Sequence, residues 1–213
     1  MKIIISGPPG SGKGTRAKMI SQSLGIPHIS TGDLFRKEVA EDTEIGKVVK
    51  GYMERGLLVP DEMTIDLLKQ RISREDCKKG FILDGFPRTL EQARMLKEIV
   101  AVDIFLDLAI RDHVIIDRMT SRRTCKNCNA IFNVKTIIPK REGICDYCSG
   151  PLVQRADEKP EVIMERLKVY EENTRPVSDF YRELGLLEEL DGELTVEDEN
   201  FKKQLFKKLK TNF

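Results

Sequence analysis

Residues 2–15 read KIIISGPPGSGKGT. Ile3, Ile4 and Ile5 form a short β-branched run, the pattern of a strand buried on both faces. A glycine-rich turn follows. Residues 14–24 then place Ala17, Ile20 and Leu24 at helical spacing, with Gly25 as the stop. Gly7, four intervening residues, Gly12 and Lys13 fit a phosphate-cradling loop, in which backbone N–H groups converge on oxyanions at a helix N-terminus and lysine adds a mobile charge. Gly14 stands where Ser or Thr ordinarily follows the lysine, with Thr15 one residue later. That weakens the case for a hydroxyl bound directly to Mg²⁺ but leaves phosphate binding intact.

Working outward, strands are expected at 28–30, 81–84, 104–108 and 186–190. Helices are expected at 31–40, 45–55, 61–74, 89–99 and 111–120. This β-α alternation implies a parallel sheet with right-handed crossovers. Asp33 reads equally as a helix cap or a ligand. The polar, turn-rich stretch 121–158 interrupts the alternation as an insertion. Pro160 opens a helix to about residue 173, Pro176 breaks it, and a second helix carries Phe180 and Tyr181. Residues 196–210 place Phe201, Leu205 and Leu209 on one helical face, with lysines opposite.

The chain has 213 residues, room for one main domain with a small insertion. Its 36 basic and 35 acidic residues leave a net charge of +1, so no global field points to nucleic acid or a membrane surface. The first apolar run is too short for a signal peptide, and no run has the length of a membrane span. A soluble, cytoplasmic protein is expected, with its thiols reduced.

Cys125 and Cys128 form one CxxC pair and Cys145 and Cys148 a second, with sixteen residues between the pairs. Two such knuckles can present four thiolates to one tetrahedral Zn²⁺, and a site so filled is structural. A redox dithiol and a nucleic-acid-binding zinc ribbon are the rivals. The insertion lacks the basic and aromatic strip of the latter. Cys77 stands alone and reads as a small, partly buried residue. Arg36, Arg88, Arg118, Arg122, Arg123, Arg155 and Arg166 lie at element ends or at the edges of the insertion. Planar guanidinium groups gathered around a phosphate loop suit the clamping of a transferring phosphoryl group.

Taken together, GPPGSGKGT, STGDLFR (30–36), GLLVPDEMT (56–64), GFILDGFPRTLEQA (80–93), DRMTSRR (117–123), the four cysteines and QRADE (154–158) resemble the adenylate kinases of the long-lid, zinc-bearing type, over nearly the whole chain. The resemblance implies an α/β P-loop NTPase fold with a five-stranded parallel sheet flanked by helices. Residues 1–29, 60–120 and 159–213 would form the core, 30–59 a helical AMP-binding insertion, and 121–158 a zinc-stapled lid. It implies phosphoryl transfer from Mg-ATP to AMP giving two ADP. The alternative is a nucleoside monophosphate kinase with another donor such as GTP.

The resemblance also implies site roles. Gly10, Ser11, Gly12, Lys13, Gly14 and Thr15 would hold ATP phosphates, with Arg118, Arg122, Arg155 and Arg166 around the phosphate chain. Ile131, Phe132 and the Leu194 carbonyl would meet the adenine. Thr31, Arg36, Leu57, Leu58, Val59, Gly85, Phe86, Pro87, Arg88, Gln92, Arg155 and Arg166 would form the AMP site. Asp84 would help hold hydrated Mg²⁺, and Asp157 would support lid closure. Lys13, Arg88, Arg122, Arg155, Arg166 and Asp84 would carry catalysis. Gln92 has a second reading, since Thr89-x-x-Gln92 is a capping box. Glu158 stands where the family commonly has aspartate, and Arg16 where glutamine is frequent. ATP, AMP and ADP would be the partners of a monomer, with no nucleic acid or membrane.

Overall fold

The computed structural model describes residues 1–209. Five strands form one parallel sheet, in the order β2 (His28–Ser30), β3 (Phe81–Asp84), β1 (Lys2–Ser6), β4 (Ile104–Ala109) and β8 (Leu187–Asp191). β1 lies at the centre and β-branching explains why. Ile3 and Ile5 face one layer with Ala17, Ile20, Phe201 and Leu205, whereas Ile4 faces the other with Leu68, Ala93, Leu96, Phe105 and Tyr181. All three isoleucines are at most 1% exposed, each contributing about 1.5–3 kcal/mol of burial. Helices α1 (Lys13–Leu24) and α9 (Glu199–Leu209) cover the first face; α4 (Asp61–Ile72), α5 (Leu90–Ile99) and α8 (Arg175–Glu183) cover the second. Phe105 stacks on Tyr181, ring centres 4.4 Å apart.

Helices α2 (Thr31–Ala40) and α3 (Glu44–Glu54) pack around Phe35, Val49 and Val59. Helix α6 (Asp112–Ser121) leads into a second, antiparallel sheet in the order β6 (Ile131–Asn133), β5 (Arg122–Cys125), β7 (Leu152–Val153). Periodicity gave no sign of these strands, because they are two to four residues long. Among the described residues no helix is long and apolar enough to cross a membrane.

Two local expectations need correction. The cap of α2 is Ser30, whose hydroxyl accepts the Asp33 N–H at 3.2 Å; Asp33 instead pairs through its carboxylate with Arg36. Pro176 does not break the chain's path either. Helix α7 (Pro160–Val169) runs through a π-helical turn at Tyr170–Thr174 directly into α8. The wider turn, with Arg175 N–H reaching Tyr170 C=O, accommodates a residue that has no N–H to give. The tail helix begins at Glu199, where Asp198 accepts the N–H groups of Asn200 and Phe201; Lys210 lies outside the described residues.

Candidate active site

The site opens above the carboxyl ends of β1 and β3, where parallel sheets place ligands. Gly12 caps α1 with φ +85°, a left-handed conformation that favours glycine, and a Cβ there would displace the Arg16 guanidinium 2.3 Å away. No side chain caps α1, leaving the N–H groups of its first turn for an anion. Ser11 is fully buried, and its N–H closes the loop by donating to Pro8 C=O at 3.1 Å. Lys13 Nζ donates to the carbonyls of Gly7 at 2.7 Å and Pro8 at 2.8 Å. Burial lowers its pKa to about 7; Asp84 pulls upward, and Arg88, Arg166 and Arg122 push downward.

Facing the loop is the turn after β3. Gly85, at φ +75°, gives its carbonyl to Thr31 Oγ1 at 2.8 Å and to Arg88 Nε at 2.7 Å. Arg88 is further held through its own carbonyl, which accepts from Thr174 Oγ1 at 3.0 Å. Thr89 caps α5 by accepting the Gln92 N–H at 3.0 Å. Gln92 does not complete the expected capping box. Its Oε1 accepts the N–H of Arg88 at 2.7 Å, one residue before the cap, and its Nε2 donates to Asp61 at 2.7 Å. Asp84 Oδ2 lies 3.1 Å from His28 Nε2. Burial opposes ionisation of Asp84, but the His28 bond and the charge of Lys13 prevail and hold its carboxyl below the usual range.

Three cavities that share Arg88 and Arg166 in their walls border these residues. The largest, about 490 Å³, is walled by Gly10, Gly12, Lys13, Gly14, Thr15, Asp84, Arg88, Arg118, Arg122, Ile131, Phe132, Arg155, Arg166 and Leu194. A smaller one of about 70 Å³ is walled by Thr31, Arg36, Leu57, Leu58, Val59, Gly85, Arg88, Gln92, Asp157 and Arg166. The third, about 60 Å³, lies against Lys13, Phe86, Pro87, Arg88, Arg166 and Tyr170. Arg155, expected at both nucleotides, borders the large cavity but not the small one, and Ser11 borders none of the three. The Leu194 carbonyl, expected to meet a base, accepts from Arg16 Nη2.

The arginines are held by carboxylates of the 155–158 turn. Arg166 donates to Asp157 at 2.6 Å. Arg122 Nε donates to one oxygen of Glu158, whose other oxygen accepts the Arg155 N–H at 3.1 Å. Burial, with crowding by like charges, brings Arg155 and Arg166 each down to about 10. Such a desolvated positive cluster favours a polyanion.

At the far side of the second sheet the sulfurs of Cys125, Cys128, Cys145 and Cys148 lie within 4.8 Å of one another. Cys125 and Cys148 are 3.4 Å apart and Cys128 and Cys145 3.6 Å. A tetrahedral Zn²⁺ with bonds of about 2.3 Å needs sulfurs about 3.8 Å apart, so the cage fits that ion with little movement. Burial opposes ionisation of Cys125, yet backbone N–H groups of Cys128 and Asn127 directed at its sulfur bring it down to about 6. These four cysteines can hold a metal.

Sequence reasoning missed Asn129, Thr136 and Ile137 on the large cavity, and Tyr170 and Thr174 on the third. Position in the insertion gave no signal for the first three. A disrupted helix beside a proline was the available sign for the other two.

A phosphate loop and an arginine-bearing turn that wall the same cavities, over a parallel sheet, define a P-loop phosphotransferase. The family model for adenylate kinase matches residues 5–186. The chain is 49% identical over 197 residues to an adenylate kinase of Clostridium tetani, covering 90% of this chain and 91% of that protein. It is 47% identical to one of Archaeoglobus fulgidus, covering 92% and 93%, and 43% identical to one of Caldanaerobacter subterraneus, covering 96% of each. The chain belongs to the adenylate kinase family.

Proposed function

We propose that the chain moves the terminal phosphoryl group of ATP onto AMP, giving two ADP, in the space between Lys13, Arg88 and Arg166. The observation that supports this best is that Arg88 and Arg166 border all three cavities. A phosphoryl group crossing from the large cavity to the small one stays between the same two guanidiniums. ATP fits the large cavity, its phosphates on residues 10–15 and its base against Ile131, Phe132 and Leu194. AMP fits the small one, among Thr31, Arg36, Leu57, Leu58, Val59 and the turn 85–88, with Gln92 orienting Arg88.

Lys13 would exchange the carbonyls of Gly7 and Pro8 for the transferred group. The attacking AMP oxygen is already anionic, so no side chain needs to remove a proton. The P–O bond to the leaving ADP breaks as the bond to AMP forms, and the work left is alignment and neutralisation. Arg122 and Arg155, carried by residues 121–158, would close over the phosphates and exclude water, the competing nucleophile. Mg²⁺ entering with ATP supplies further charge neutralisation, and buried, ionised Asp84 would hold its water shell. The four cysteines would hold Zn²⁺ as a staple. The division into a core, an AMP-binding insertion at 30–59 and a lid at 121–158 follows from these roles. Both cavities lie in one chain, so a monomer suffices, and metal-bound thiols suit the cytoplasm.

The test is ADP formation across nucleotide pairs, together with calorimetry of two adenosines joined through five phosphates. That compound is expected to bind far more tightly than ATP, because the second contact becomes intramolecular. Affinity no better than that of ATP would overturn the facing sites.

A further inference from the structure

Arg16, in the first turns of α1, is 3% exposed. Among the described residues all four of its side-chain hydrogen bonds run to backbone carbonyls. Nη1 donates to Ser11 at 3.0 Å and Gly12 at 3.4 Å; Nη2 donates to Gly192 at 3.1 Å and to Leu194. Its guanidinium lies over the Phe201 ring at 4.7 Å. Nε is buried without a partner. A guanidinium taken out of water and given no carboxylate is a costly arrangement. What it accomplishes here is geometric, because the two nitrogens reach two stretches of chain some 180 residues apart. One is the phosphate-loop turn. The other follows β8 and continues into Leu194 and Val196, which wall the large cavity. Arg118 grips this second stretch too, donating to Gly192 at 2.7 Å and Glu193 at 2.9 Å, but from α6, and both of these bonds go to that stretch and neither to the loop.

We propose that Arg16 is a positioning residue for the donor nucleotide, a strut that sets the span between the loop that takes the phosphates and the 192–194 segment that takes the base. This rests on the large cavity being the donor site. A lysine keeps the charge but is a point donor, unable to bridge four carbonyls in two segments. A strut matters only to ligands that touch both of its ends.

The experiment measures steady-state kinetics of Arg16→Gln and Arg16→Lys, with inorganic tripolyphosphate as a competitor that contacts the loop alone. The expected result for both variants is a KM for ATP raised about tenfold, the scale of one or two lost charge-assisted bonds. The KM for AMP, kcat and the inhibition constant of tripolyphosphate should stay within about twofold. If tripolyphosphate weakens in parallel with ATP and Arg16→Lys restores both, Arg16 acts by charge and the strut is wrong. A parallel rise in both KM values with a lowered melting temperature makes it a fold residue and also overturns the proposal. Should Arg16→Gln fail to fold, Arg16→Lys decides on the same criteria. Phe132→Ala separates the two readings. If it leaves the ATP KM unchanged, the donor-site assignment falls; if it raises that KM while the Arg16 variants do not, only the strut falls.

Discussion

Glu158 accepts the Nε–H of Arg122 on one carboxylate oxygen and the backbone N–H of Arg155 on the other. One wholly buried acid therefore fixes two of the arginines on the large cavity.

Glu158→Gln removes the counter-charge of a largely buried guanidinium. The expected loss is about 3 kcal/mol, the lower end for breaking such a pair. Turnover should fall as well, since Arg122 is no longer oriented. Glu158→Asp restores charge but not reach, and should recover only part of the stability. Denaturant unfolding checks this, and a Glu158→Gln variant as stable as the parent would refute it.

Arg88→Lys keeps the charge and loses the fork. Its hydrogen bonds among the described residues are one from the side chain to Gly85 C=O and backbone bonds that survive the change. Turnover is expected to drop about a hundred- to a thousandfold. The melting temperature should barely move. Near-normal turnover, or an unfolded variant, would show Arg88 to be a residue of the fold.

Lys13 titrates at about 7 in the free chain, chiefly through burial, with Asp84 opposing and Arg88, Arg166 and Arg122 reinforcing. A triphosphate beside it raises that value. At a pH of about 8 the free lysine is mostly neutral and the bound one charged, so ATP binding takes up nearly one proton. Affinity then declines as pH rises through and above about 7, by up to about tenfold per unit. Calorimetry in buffers of different ionisation heat reads the proton directly. Uptake near zero at pH 8 would contradict the assignment.

The cysteine cage should carry one Zn²⁺ per chain in protein purified without chelator. Cys128→Ser should lower the thermal stability of residues 121–158, because metal affinity in such a site is folding free energy. Elemental analysis without stoichiometric metal would end this reading.

How much of this was legible beforehand depended on whether the deciding forces were local. Ile3, Ile4 and Ile5 announce a strand buried on both faces, and the chain has them there. The two CxxC pairs announce a cage because ligand spacing is a local constraint. The short strands around that cage were invisible, since so few residues carry no period. Arg16 stood out as a departure, but its role depends on carbonyls near residue 192 that no spacing rule connects to it. Gln92 was read as a ligand or a capping partner. It borders the small cavity, and its bonds to Arg88 and Asp61 depend on how two helices meet.

The π-helical turn at Tyr170–Thr174 carries one residue more per turn than the helices on either side. In a regular helix an added residue rotates everything downstream by about 100°. Here that rotation separates two duties along a single rod. Upstream, Arg166 addresses the cavities; downstream, Val177 and Tyr181 address the core. Thr174 sits at the change of phase, with its hydroxyl on the Arg88 carbonyl. Straightening the rod by deleting one residue of the turn would put its two halves in competition, so that either the arginine or the tyrosine would point the wrong way.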